Sequence, residues 1–117
     1  MTYETTRDFV PWEDVNDFDA AVEMLLLGIA KKYSDWMPDS YRKCVPIVVD
    51  GRKFVKVIED GSVWGFIAKA DGEHKGIPMV EGDVFKAASW SAAAKHARGN
   101  IFDVNKDWYR WTGPNYL

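Results

Sequence analysis

Val45-Pro-Ile-Val-Val-Asp-Gly-Arg-Lys-Phe-Val-Lys-Val-Ile-Glu-Asp-Gly-Ser-Val-Trp-Gly-Phe-Ile-Ala-Lys69 is the stretch whose reading sets the fold class. Asp50-Gly51 and Asp60-Gly61 each separate two apolar runs. Both residue types tolerate positive φ, which the tight two-residue hairpin turn requires. The segment therefore predicts a three-stranded antiparallel meander over Val45–Val49, Lys53–Ile58 and Ser62–Lys69. Pro46 has no N–H to give to a ladder, which places it at a sheet edge or in the first residues of its strand. In the middle strand Phe54, Lys56 and Ile58 share one face and Val55 and Val57 the other. The alternation is imperfect, so both faces are expected to be partly covered.

Upstream, Phe18, Val22, Leu25, Leu26, Ile29, Tyr33 and Trp36 recur at three- and four-residue steps, the spacing of one helical face. Asp14 or Asn16 can cap its start. Asp17, Asp19 and Glu23 suit the positive end of the helix dipole, Lys31 and Lys32 the negative end, and Pro38 stops it. Downstream, 71–76 reads as a polar loop, and 77–88 as a short strand, a Glu81-Gly82-Asp83 turn and another strand. Ser89 then caps a short helix over 90–98, with Gly99 as its left-handed stop. Ile101-Phe102 and 107–112 look like terminal strand segments, and Gly113, Pro114 and Asn115 end the ordered part. Together these predict an α+β fold, with an N-terminal amphipathic helix on a twisted antiparallel sheet of about five strands and a second short helix. Gly65, Gly76 and Gly82 are bending points that would let the sheet curl into a partial barrel.

The chain has 117 residues, enough for one core, so residues 1–117 are read as a single domain. Its hydrophobic fraction, 47%, is too high for a disordered chain, and its longest apolar run is too short for a membrane span. The net charge of −3 argues against a protein that is basic throughout, though residues 1–40 hold nine acids and three bases while 41–117 hold nine and twelve. One cysteine excludes an internal disulfide and fits a reducing compartment. With no basic, apolar leader at the N-terminus, the expected setting is cytoplasmic.

Catalytic chemistry finds little footing. His74 and His96 have no second ligand at metal spacing, Cys44 beside Arg42 and Lys43 precedes an apolar strand where a buried thiol is ordinary, and the acid pairs fall at caps and turns. The expectation is a non-enzymatic chain with no cofactor and no metal. Binding has better support. From Lys86 to Arg98 the chain carries Lys86, Lys95, His96 and Arg98 with no acid between them, and Ser89 and Ser91 could leave N–H groups for a phosphate. On a helix Lys95 and Arg98 would share a face. Trp90 is read as core in preference to a base-stacking platform. The Lys106-Asp-Trp-Tyr-Arg-Trp111 tail interleaves aromatics and bases as single-strand binders do. On a strand, Trp108 and Arg110 face one way and Tyr109 and Trp111 the other, so one face is core and the other is exposed or at an interface. The acidic helix face is read as ordinary helix solvation in preference to nucleic-acid mimicry.

The run from Glu81 to Ile101 carries Gly-Asp, a hydrophobic pair, Lys-Ala-Ala-Ser-Trp, an Ala-rich turn and Ala-Arg-Gly-Asn. This pattern resembles a segment of small uncharacterised proteins of tailed bacteriophages, which often show a Pro where this chain keeps Ala. The resemblance implies a phage source and a bacterial host cytoplasm, and it singles out Lys86, Ser89, Trp90, Lys95, Arg98 and Asn100. With Trp108 and Arg110 from the tail, these are the candidate binding residues. The expected role is that of an accessory protein acting by binding. A protein partner is slightly favoured by the acidic net charge, single-stranded nucleic acid comes next, and no membrane is involved. The alternative is a virion or self-assembling domain in which the aromatic strand completes a neighbour's sheet in a homo-oligomer.

Overall fold

A computed structural model describes residues 17–36, 46–103, 107–110 and 112–115. Helix α1 (Phe18–Trp36) is capped by Asp17, whose carboxylate accepts from Ala20 N at 3.3 Å and whose carbonyl accepts from Ala21 N at 2.9 Å. The expected caps Asp14 and Asn16, the stop at Pro38 and the Cys44 region lie outside the described residues. The predicted face is the buried one, apart from Trp36, whose side chain lies outside the described residues. Val22, Leu25, Leu26, Ile29 and Tyr33 are buried, joined by Ala21, while Phe18 packs at the margin. Each buried Leu or Ile contributes about 1.5–3 kcal/mol, so this stripe holds the helix in place. No base occupies the last turn. Lys31 pairs with Asp35 at 3.0 Å in the open, and Lys32 Nζ sits 4.9 Å from the centroid of the Tyr109 ring.

The meander forms as β1 (Ile47–Asp50), β2 (Phe54–Glu59) and β3 (Ser62–Ala68). Asp60 and Gly61 adopt φ of 51° and 81°, the double positive pair expected of that turn. The first hairpin differs: Gly51 N donates to Phe54 O at 2.9 Å, so its tip is Arg52-Lys53 and not Asp50-Gly51. The observed register sets Ile47 opposite Ile58 and Val48 opposite Val57. A tip at Asp50-Gly51 would have set Val48 against Lys53. Apolar cross-strand pairs decide the register over turn chemistry.

β6 (Asp83–Ala87) and β7 (Ala93–Asn100) extend the sheet to five strands in the order β1-β2-β3-β6-β7, all neighbours antiparallel. The sheet is open, since β1 and β7 do not pair, and no barrel forms. Of the three glycines expected to bend it, Gly76 and Gly82 sit in turns outside the ladder. At Gly65 a bulge occurs: Val57 pairs with Gly65 and Ile58 with Val63, leaving Trp64 as the extra residue with its ring in the helix-side core.

The second short helix is absent, and its residues form β7. An Ala-rich run favours helix by propensity, yet a two-turn helix whose single large apolar residue is Trp90 has little face to bury and is marginal alone. Pairing with β6 satisfies the backbone instead. Ser89 caps no helix, and its Oγ accepts from Ser91 N at 3.3 Å inside the β6–β7 turn, which Ala88 N closes onto Ala92 O at 2.8 Å. Gly99 is a strand residue rather than a helix stop. A Cβ built on it would lie 2.3 Å from the Trp108 ring, so only glycine lets that indole lie flat on β7.

Each face of the sheet carries its own cover. On one side α1 packs on Val55, Val57, Trp64, Ile67, Val84 and, beyond the sheet, Ile101, Trp108 and Tyr109. On the other, Phe66, Ala68, Phe85 and Ala93 meet Met79, with Phe54 packed against them. The segment read as a polar loop and a lone strand is a separate hairpin, β4 (Gly72–His74) and β5 (Ile77–Met79), joined by Lys75-Gly76 at φ of 52° and 81°. It lays the His74 ring edge-on to Phe54 and Phe85, with centroids 5.2 and 5.0 Å away, and His74 Nε2–H donates to Ala94 O at 2.9 Å. A last hairpin pairs β8 (Tyr109–Arg110) with β9 (Gly113–Pro114), whose two residues are buried.

Candidate functional site

The candidate binding residues do not form one surface. Trp90, expected in the core, is 55% exposed at the β6–β7 turn, with Lys56 Nζ 4.4 Å from its ring centroid. Lys56 also lies 6.0 Å from the Phe66 ring, which ties Trp90 to the hairpin-covered face of the sheet. Such an exposed cation–π pair contributes about 0.5–1 kcal/mol. Trp108 goes the other way. It is 8% exposed, and the neighbouring Tyr109 ring packs 5.0 Å from it and 5.9 Å from Trp64. Burial pushes the Tyr109 hydroxyl up to about 12. Trp111 and Lys106 lie outside the described residues.

Asn100 is part of the scaffold. Its side-chain N–H groups donate to Glu81 O and Asp83 Oδ1, both at 3.0 Å, and its Oδ1 accepts from Phe102 N at 2.8 Å. Ser89 and Lys95 are exposed, and neither reaches a common site. On a strand, Lys95 and Arg98 lose the shared face that a helix would have given them.

Three of the eight do converge. Lys86 and Arg110 line a cleft of about 420 Å³ with Thr112, Gly113, Pro114 and Asn115. Arg98 stands beside it, donating Nη1–H to Asn115 O at 2.9 Å. Lys86 Nζ donates to Pro114 O at 2.6 Å, and the Arg110 carbonyl accepts from Trp64 Nε1 at 2.9 Å. The β8–β9 hairpin is thus fastened to β3, β6 and β7 by one bond from each. Lys86 loses its proton more readily than an ordinary lysine, first because burial disfavours the charge and second because Arg98 is near. An arginine has five N–H donors, and Arg98 gives Nε–H to His96 O at 3.2 Å and Nη1–H to Asn115 O. The Arg110 side chain is exposed and makes no hydrogen bond or ion pair among the described residues.

Thr112 to Asn115 went unrecognised in the sequence as lining residues. Their only local signal is a Gly-Pro-Asn run that begins three residues after Arg110, a pattern too common to mark a site. Among the described residues no three His, Cys, Asp or Glu side chains gather as a metal ion would need, and no helix is long and apolar enough to cross a membrane.

Residues 22–116 match the model of a family of unknown function, DUF7717. The chain belongs to this family. The DUF7717 match begins on α1 and runs past β9, so the basic cleft and both covers of the sheet fall inside it. Neither a curated protein nor a solved structure matches the chain.

Proposed function

We propose that the chain is a small non-enzymatic accessory protein of phage type that binds a protein partner by taking an acidic group into the Lys86–Arg110 cleft. One observation carries this reading: cations distant in sequence, Lys86, Arg98 and Arg110, are gathered at one concave place by the β8–β9 hairpin. The placement of the aromatics favours a protein over single-stranded nucleic acid. Single-strand binders set stacking rings beside their cations. Here Trp108 and Tyr109 belong to the core, and Trp90 lies with Lys56 on the other face of the sheet. The same burial weighs against a self-assembling domain, since Trp108 and Tyr109 pack within their own chain. The resemblance to phage proteins supports a bacterial host cytoplasm as the setting.

Fluorescence anisotropy with a labelled oligo-glutamate peptide and a labelled oligo-dT strand, at low and near-physiological salt, tests the reading. Arg110→Glu should weaken the acidic peptide by about tenfold or more, the worth of about 1.4 kcal/mol. Lys95→Glu, outside the cleft, should change it less than about twofold, as an exposed charge away from a contact does. Tighter binding of the oligonucleotide, with affinity falling steeply as salt rises, would replace this reading by a phosphate-binding one.

A further inference from the structure

We infer that Lys86 is a modification site, at which an acyl phosphate held in the basic cleft transfers its acyl group to the lysine amine. Lys86 lines the cleft, and its Nζ is fixed at the wall by the 2.6 Å bond to Pro114 O. Other lysines are placed differently. Lys31 and Lys69 are ion-paired with Asp35 and Asp50, Lys53 donates to Glu73 O, and Lys32 and Lys56 lie against aromatic rings. None of these five lines the cleft. At Lys86 burial first, and the positive charge of Arg98 second, favour the neutral amine over the ammonium. The neutral amine is the nucleophile, and a neighbouring cation is one of the ordinary ways in which a lysine is activated.

The arginines select the acyl donor. Arg110 lines the cleft, and its side chain makes no hydrogen bond or ion pair among the described residues. Its planar fork suits a phosphate. Arg98 adds a second positive charge beside Lys86 while its Nη1–H stays on Asn115 O. An acyl phosphate carries its anion one bridging oxygen away from the acyl carbon. Holding the phosphate at Arg110 therefore brings that carbon to the amine of the same cleft, a gain by positioning that an uncharged acyl donor does not share. In the step, the Nζ lone pair forms a C–N bond to the acyl carbon. The C–O bond to the phosphate breaks, inorganic phosphate leaves with its electron pair, and the surplus amine proton passes to water. The product is a neutral amide that keeps one N–H for Pro114 O. Acylation removes one cation from the cleft and so weakens its hold on an acidic group, a consequence that rests on the function proposed above, whereas the modification itself does not.

The test incubates the intact protein with acetyl phosphate and follows each lysine by peptide mass mapping. Acetylation about tenfold or more faster at Lys86 than at the exposed Lys95 is expected, the kind of gain that positioning a donor supplies. Equal rates at the two lysines overturn the inference. The acetyl ester of N-hydroxysuccinimide, which carries no phosphate, should show a smaller preference for Lys86. A preference of the same size overturns the choice of an acyl phosphate as donor. Arg110→Gln should slow acetylation of Lys86 by acetyl phosphate and leave its reaction with the ester unchanged, and slowing of both alike overturns the placement of the phosphate on Arg110. Lys86→Gln, an uncharged analogue of the acetylated residue, should weaken a labelled oligo-glutamate by about threefold or more, and unchanged binding overturns the consequence for the partner. The two readings fail separately. Oligo-glutamate binding without selective acetylation sinks this inference alone, and selective acetylation in a protein that never binds the peptide supports it while sinking the partner reading. The comparison of Lys86 with Lys95 uses the unaltered protein and does not depend on any variant folding.

Discussion

The two edges of the one sheet are treated in opposite ways. β7, at one end, is eight residues long and carries register shifts where it meets β6. The Trp108 ring lies on it at Gly99, His74 caps its Ala94 carbonyl, and Arg98 ties it to Asn115. Its exposed positions include Lys95 and His96. β1, at the other end, is four residues long and none of its side chains is buried. Sheet edges left flat and apolar invite another strand, and bulges, charges and covering elements are the ordinary defences. The β7 edge has all three of these defences. Among the described residues the β1 edge has its shortness, Pro46 before it and Asp50 at its end. Among the described residues, then, one edge of the sheet is closed by several devices and the other pairs only inward, with β2.

The largest expected effect comes from breaking the closed edge at its tightest point. Gly99→Val places side-chain atoms where the Trp108 ring stands, and an overpacked, displaced indole should cost about 3 kcal/mol or more in urea denaturation. An equivalent exchange on the open edge, Val49→Thr, should stay within about 0.5 kcal/mol. Equal costs at the two positions would erase the contrast.

Next comes the alkaline range. Tyr109 ionises at about 10 when unfolded and at about 12 in the folded protein, because burial disfavours the phenolate. Between these values the unfolded chain binds fewer protons than the native one, so stability should fall as pH rises from about 10 to about 12. Tyr109→Phe should flatten that decline in thermal melts across the same range. A decline of unchanged slope in the variant would show that the hydroxyl is not its source.

Arg98→Ala removes the charged donor from the Asn115 carbonyl, and a loss of about 1.5 kcal/mol is expected in the same denaturation assay. Amide exchange should then quicken in β8 and β9 before it does in β2. If exchange quickens everywhere alike, the hairpin and the edge it protects are not separable units. Smallest in stability is Val48→Lys, for which a change within about 0.5 kcal/mol is expected in the same denaturation assay. A stability loss comparable to that of Arg98→Ala would mean that Val48 serves the core more than the edge.

Much of the molecule was legible residue by residue, and the legible parts share a cause. The α1 stripe is written in three- and four-residue spacing, and Val22, Leu25, Leu26 and Ile29 went inside as that spacing required. The Asp60-Gly61 turn follows from the φ values those two residues accept. The meander, and Pro46 ahead of an edge strand, follow from backbone donors and acceptors alone. The Lys75-Gly76 hairpin was missed because Lys at positive φ carries little sequence signal, and its partner strands are three residues each. At the candidate site, Lys86, Arg98 and Arg110 were singled out by charge, but their meeting was not foreseen. It depends on a hairpin of Tyr109–Arg110 and Gly113–Pro114 folding back onto β3, β6 and β7.

What the sequence determined by itself is therefore what short-range physics decides: one amphipathic helix, an antiparallel meander, an α+β class and a basic character confined to the later part of the chain. Tertiary structure alone decided three matters. It turned Ala93–Asn100 into a strand, because β6 offered hydrogen-bond partners to a segment whose helix would have buried nothing. It put Trp108 inside and Trp90 outside, because Gly99 offers a flat seat for one indole while the other rides on an exposed turn. It brought cations from β6, β7 and β8 around one cleft, because long-range contacts, unlike turns and helical faces, leave no period in the sequence to be read.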